Sequence, residues 1–570
     1  VDIPETESFG RLVGGDGHPL VFKFASSAAH VAGRPLVSSE TATWLDEHYH
    51  VTLGQIKEMV DRQFLAGVNH IVFHGTAYSP EDAAWPGWVF YASTQLNPQN
   101  PIWRDLPALN EYITRCQSIL QSTKPDNDVL LYWPIHDLWH DGRGLRMNLQ
   151  VHNARQWLHN QPFGRAAQWL DDNGYMFDYI SDRQIEKCEM ADGRIKTPGG
   201  SYGIIIVPQA KYMPTATLRK LDLLANAGAT ILFQGSLPTA PAGIDSSEST
   251  AQWNELAGRL SPEARPGSAV RATNRGAGRV LVASDLAALM EAAKLRRESW
   301  RAPGRLNFVR RKSPAGHMYF IKNESKEAFD GWITPSVEWN RGALLFDPLN
   351  LNLRGAAETR TDGDGQEQFR LQLAAGQTKF VNVLRGGLPF RGGGAPYLEL
   401  VGDAVPITGR WSVEFIAGGP ELPPASTTDR LESWSRFAGA EGERFAGTAR
   451  YAVMFDAPDG AGIYALDLGR VGDSARVELN GRPVATLITA PFQCDVELAA
   501  RDNRLVVEVT NVAANRIRDL DRRGVPWKIF KDINVVGINY RPLDASRWPI
   551  REAGLLGPVT LQRLKRTQLE

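Results

Sequence analysis

The apolar pattern predicts a multidomain α/β protein ending in β structure. It comprises a partial (β/α)8 (TIM-type) barrel, a doubly wound α/β domain and C-terminal β-sandwich domains. Two observations predict it. Near the start, a short apolar strand leads to Ser38, Ser39 and Glu40, then a helix, then a second strand ending at His74. After residue 116, strands and helices alternate, and beyond about 305 helical periodicity fades into short strands between Gly- and Pro-rich turns. The expected boundaries are residues 1–115, 116–304, 305–405 and 406–570.

Within the first unit, Thr52 followed by Gln55 spells a capping box. Leu53, Ile56, Val60 and Phe64 form one apolar stripe, and Gly67 stops the helix. Residues 21–25, 36–39 and 70–74 read as strands. That is about three of the eight a closed barrel needs. Glu40 and His74 at neighbouring strand ends suit a barrel mouth, where polar side chains meet substrate; a salt-bridged Glu40 is the alternative.

In the second unit, strands are expected over 128–133, 175–180, 202–207, 229–235 and 279–283, with a helix over 213–227. No GxGxxG opens a helix after the first strand, so a dinucleotide is not expected. In the sandwiches, residues 318–325 and 376–384 read as strands. Ala475, Val477 and Leu479 alternate with polar residues, and Asn480-Gly481 signals a hairpin.

Length and composition bound the function. A chain of 570 residues suggests roughly four domains of about 150 residues. Basic and acidic residues number 63 and 64. Such balance gives no electrostatic reason to expect nucleic acid or an anionic membrane. No apolar run approaches the roughly 20 residues of a membrane span. The three cysteines are widely spaced and odd in number, which argues for buried free thiols over disulfides or zinc. The 16 tryptophans and 14 tyrosines suit sugar stacking as well as core packing. The opening VDIPETESFG carries neither methionine nor a signal segment and reads as processed or cut from something longer.

The segments SSAAHVAGRPLVSSETATW, GVNHIVFHGTAYSP with PGW at 86–88, and LPALNEYITRCQSIL resemble glycoside hydrolase family 106, the α-L-rhamnosidases. So do FDYISD at 177–182, LDLGRVGDSARVELNGRPVATLITAPFQCDV, NRLVVEVTNVAANR and GLLGPV at 554–559. The last three resemble the galactose-binding-like sandwich shared with family 2 enzymes. The likeness runs through nearly the whole chain in one order.

This resemblance implies an inverting hydrolase that releases terminal α-L-rhamnose, with calcium assisting at a barrel mouth. One of the family's active-site glutamates maps to Glu40. Another acidic position resembles Glu7 in PETESF, with Glu5 as its rival. The family's Asp-Ser-Tyr-Glu-like motif is missing, in keeping with missing earlier strands. Ile135-His136-Asp137 stands where many relatives carry an acidic pair.

Glu40 is expected as general base, with acid against base open. Glu7 is expected to orient water or bind calcium, whose ligands remain unassigned. His74 is expected to donate to a sugar hydroxyl, or to be one of two core histidines with His70. Trp44, Tyr78, Trp85 and Trp88 offer a wall for a deoxysugar, or pack the loops. Asp137 and His140 reach the mouth or cap the next helix. A carbohydrate partner and a periplasmic or secreted location are expected. The rival function is a non-catalytic carbohydrate-binding or scaffolding protein.

Overall fold

The structure is a computed structural model that describes residues 1–10, 17–45, 49–75, 77–243, 247–263, 269–351, 354–388, 397–530 and 543–567. The first unit runs β1 (Glu5–Gly10), α1 (Pro19–Ala32), β2 (Ser38–Trp44), α2 (Leu53–Leu65) and β3 (His70–Phe73). The strands are parallel in the order β1-β2-β3. Helical crossovers are what parallel neighbours require. The capping box forms as expected: Thr52 Oγ1 accepts from the Gln55 amide at 3.1 Å, and Gln55 Oε1 accepts from the Thr52 amide at 2.9 Å. Gly67 follows α2 at φ +95°, where an added Cβ would lie 2.9 Å from Ser26.

Residues 21–25 are helical, not a strand. They lie in α1, which starts behind His18 and Pro19. This helix is wedged between two units, so Leu20, Val21, Phe22, Ala25, Ala29 and Val31 are all buried. A helix covered on both sides has no polar stripe, and its short apolar run is indistinguishable from a strand by periodicity.

On β2, Glu40 is an inner residue of a seven-residue strand. The register pairs Glu7 with Glu40 and Phe9 with Thr43, so β2 carries one extra residue there. Ala42 lies in this bulge at φ +69°. A bulge resets the alternation of side chains. Glu40 and Thr43 therefore share one face, while Trp44 falls on the other.

The main sheet of the second unit has six strands: β4 (Val129–Tyr132), β5 (Phe177–Ile180), β6 (Ile204–Val207), β7 (Thr230–Gln234), β8 (Arg271–Arg275) and β9 (Gly278–Ala283). Their order is β8-β9-β7-β6-β4-β5, parallel except for β8. The five expected strands are present, and the expected helix spans Thr215–Asn226. Within this sheet β8, an antiparallel edge with an unremarkable polar sequence, is the strand that was not expected.

Two β-sandwiches follow. The first packs a six-stranded sheet that includes Leu306–Ser313, Gly316–Asn323 and Thr378–Leu384 against a three-stranded one. The second packs a four-stranded and a six-stranded sheet around Trp411, Tyr451, Tyr464 and Val507. Its Asn480-Gly481 turn has both residues at positive φ, 53° and 78°, joining Ser474–Leu479 to Arg482–Leu487. Matching right-handed strand twist favours that turn.

Buried polar networks tie the units together. Asp178 on β5 accepts from His30 Nδ1 of α1 at 2.9 Å, Asn127 at 2.7 Å and the Tyr202 hydroxyl at 2.9 Å. Arg310 of the first sandwich, 2% exposed, reaches Asp126, Asp128 and Glu298 at 2.8 to 2.9 Å. The second sandwich meets the first unit where Ser474 and Arg476 both bond Asp105 at 2.6 Å.

Candidate active site

The two faces of the β1-β2-β3 sheet differ sharply. One is sealed by α2: Ser8 donates to the Met59 sulfur, Gln63 donates to Ser8, and Thr41 donates to Gln63. Glu7, Glu40 and Thr43 project from the other face, which is partly open. Val72, the register partner of Glu40 on β3, is 45% exposed.

On the open face Thr43 sits between two functional groups. Its hydroxyl lies 3.2 Å from Glu40 Oε1 and 3.0 Å from His74 Nδ1. With the hydrogen on Nδ1, His74 donates to Thr43 and Thr43 donates to Glu40. His74 Nδ1 is itself 3.7 Å from the Glu40 carboxylate. Both side chains are about a third exposed, so both face a space that solvent or a substrate enters. The His74 backbone is pinned by its amide to Thr41 O at 2.7 Å, and its ring meets Phe90 edge-on at 5.0 Å.

Glu7 stands beside Glu40 across β1 and β2, and Ser38 on β2 donates to Glu5 at 2.8 Å. Burial, then the Glu40 charge and a hydrogen bond to Glu40, push the Glu7 carboxyl up to about 6. Below that pH, Glu7 holds a proton that it donates to Glu40. Two carboxyls sharing a site resist double ionisation. Glu5, the rival of Glu7, lies two residues away on the same strand and bonds Ser38 instead of Glu40.

One contributor had no counterpart in the sequence reading. His152 comes from the doubly wound unit, and its imidazole opposes the upward push on Glu7. Its ring lies 4.3 Å from that of Phe9. Nothing in its local sequence marks it, because it reaches the site through tertiary packing.

The aromatic candidates divide. Tyr78 is 78% exposed and meets the ring of the half-buried Trp88 edge-on at 6.1 Å. Their loop is closed at its base by hydrogen bonds from Leu96 N and Ser93 Oγ to Gly75 O. Trp85 is taken up by packing: the Arg516 guanidinium lies 3.8 Å over its ring and Nε1 donates to Gln99 O.

Trp44 is not on a sugar-facing wall. It is 1% exposed on the sealed side of the sheet, against Gly10, whose added Cβ would lie 1.9 Å from the indole. Asp137 also serves a local purpose. Its carboxylate accepts from the Lys211 and Tyr212 amides at 2.9 and 2.8 Å, holding that segment to the helix Ile135–Trp139. His140 stacks on Tyr212 at 3.8 Å.

Among the described residues, no group of three or more His, Cys, Asp or Glu is placed to hold a metal ion. The same residues include no helix long and apolar enough to cross a membrane.

The family profile for α-L-rhamnosidases, Glyco_hydro_106, matches residues 20–148 and 156–344, more than half of the chain. A rhamnosidase from Novosphingobium sp. PP1Y superposes with a TM-score of 0.78 at 25% identity, over 98% of this chain and 51% of that one. A Formosa agariphila protein named as a β-glucuronidase is 25% identical over 364 residues, 63% of this chain and 28% of its own length. The chain thus spans about half of the rhamnosidase and a smaller share of the second relative. The chain belongs to glycoside hydrolase family 106, the α-L-rhamnosidase family.

Proposed function

We propose that this chain carries part of the active site of a glycosidase that releases terminal α-L-rhamnose with inversion. In this reading β1, β2 and β3 are a sector of a (β/α) barrel whose other strands pair with their free edges. The terminal sandwich is galactose-binding-like. The observation that carries the reading is the Glu7–Glu40 pair on a half-open polar face, connected to His74 through Thr43.

The pair lies on adjacent strands, roughly 4.8 Å apart, and is hydrogen-bonded. Inversion needs roughly 6.5–9.5 Å between acid and base, to admit a water. Glu7 and Glu40 are therefore one half of the machinery. Glu40 is the general base that takes the proton of the attacking water, and Glu7 steers that water and the charge on Glu40. The leaving-group acid comes from another strand. His74 donates to a sugar hydroxyl, and Tyr78 with Trp88 covers an apolar sugar face.

The test uses the protein containing this chain and a chromogenic α-L-rhamnoside. Product release is expected, falling about 10²–10⁴-fold in Glu40→Gln. Unchanged turnover in that variant would remove Glu40 from the mechanism. A matched β-glucuronide measures the competing sugar preference. Binding of L-rhamnose without turnover would favour a non-catalytic carbohydrate binder.

A further inference from the structure

We propose that His152, supplied by the doubly wound unit, is a positioning residue that sets which member of the Glu7–Glu40 pair keeps the shared proton. The inference rests on the glycosidase reading for its consequence, though not for its test.

Geometry carries it. Glu7 and Phe9 are two residues apart on β1, and side chains so spaced share a face. The 4.3 Å approach of the His152 ring to Phe9 therefore brings an imidazole over the face where Glu7 meets Glu40. The segment that delivers it is braced. Trp157 donates through Nε1 to Gln150 O at 2.8 Å, and its 5% exposed ring packs on Phe24 of α1 at 5.2 Å. His152 is thus fixed by the second unit and acts on the first.

Three ionisable groups act on Glu7, and a fourth acts on its partner Glu40. Glu40 from β2 and Glu5 from β1 oppose its ionisation, and His152 favours it. His74, after β3, stands 3.7 Å from Glu40 and favours the negative charge there when protonated. A positive imidazole at His152 lets Glu7 release its proton earlier. The Glu7 share of the pair is thereby tuned without any contact between His152 and the sugar.

The linkage is reciprocal, which gives a test independent of turnover. Eleven histidines give resolvable Cε1–H signals in ¹³C-histidine-labelled protein, and His152→Asn identifies its own. By the same reciprocity, neutralising the carboxyl in Glu7→Gln should displace the His152 Cε1–H titration curve toward lower pH. Phe9→Ala, which frees the ring while keeping the carboxyl, should give a smaller shift in the same direction. An unmoved midpoint in either folded variant overturns the proposal. In the rhamnoside assay, His152→Asn should move the pH–rate limb governed by Glu7 to higher pH; an unmoved limb also overturns it. Absence of rhamnoside turnover in wild type would sink the glycosidase reading and leave the titration result standing.

Discussion

Glu7 and Glu40 are register partners on parallel strands, and burial together with the neighbouring Glu40 carboxylate holds a proton on Glu7 to about pH 6. A carboxyl raised above its unfolded value binds more protons folded than unfolded. Its contribution to stability is present below the unfolded value, near 4.5, and is lost as pH rises toward 6. Glu7→Gln should therefore stabilise the protein at pH 7 to 8 by about 1 kcal/mol after solvent screening, and not at pH 4.5. Thermal melts at both pH values check this.

Thr43 is the bridge between Glu40 and His74, at 3.2 and 3.0 Å. Thr43→Val keeps the shape and removes the hydroxyl. Turnover of an α-L-rhamnoside should fall about 10- to 100-fold through misorientation of Glu40. Stability should change by less than about 1.5 kcal/mol, since solvent replaces the bonds. A rate within twofold of wild type would show that Thr43 does not orient the carboxylate.

Acid sensitivity should come from histidines held neutral. Burial, with the nearby His159 and Arg62, lowers His18 to about 4. Burial, with Arg551, lowers His50 to about 4. Both lie below the unfolded value of 6.5, so their contribution is full above 6.5 and is lost as pH falls toward 4. Each is worth on the order of 2 kcal/mol across that window. The melting temperature of a His18→Asn, His50→Phe variant should decline less between pH 7 and 5 than that of wild type. Glu7 acts with the opposite sign in this range and is unchanged between the two proteins.

Arg310 is surrounded by Asp126, Asp128 and Glu298 in a nearly sealed space. Arg310→Ala takes the shared cation from two buried carboxylates and one half-buried one, which keep His317, Arg194, Tyr319 and Ser336 among their partners, and should cost about 3–5 kcal/mol. Denaturant unfolding would measure it, and a loss under 1 kcal/mol would show that water takes over the site.

Gly10 faces the Trp44 ring with no room for a methyl group. Gly10→Ala should cost about 1–3 kcal/mol by overpacking. Because the strain falls on β1 and β2 together, it should also lower rhamnoside turnover, readable in the same assay.

How much of this was legible in the sequence depends on where the information sits. α2 was readable because its cap, stripe and stop are local. Family motifs and the apolar runs beside them single out Glu7, Glu40 and His74 in the sequence; the structure puts Glu40 inside β2 and not at its end, and His74 just beyond β3. Trp44 was not, because the bulge at Ala42 sends the next residues to unexpected faces. α1 was not, because burial on two sides erased its polar stripe. Asp137 was misplaced because amides 74 and 75 residues away claim its carboxylate. His152 had no local mark at all.

The position of α1 bears on how this molecule is dissected. Its Phe24 ring inserts among Trp133, Trp157, Phe163 and Tyr179, while its other side backs the strands that carry the glutamates. A genetic cut near residue 115 would strip that aromatic nest of its plug. The excised α/β piece would show a greasy socket to water, and the remaining sheet would lose its backing wall. These two regions behave as one piece of masonry sharing a brick, so shuffling experiments should move them as a unit.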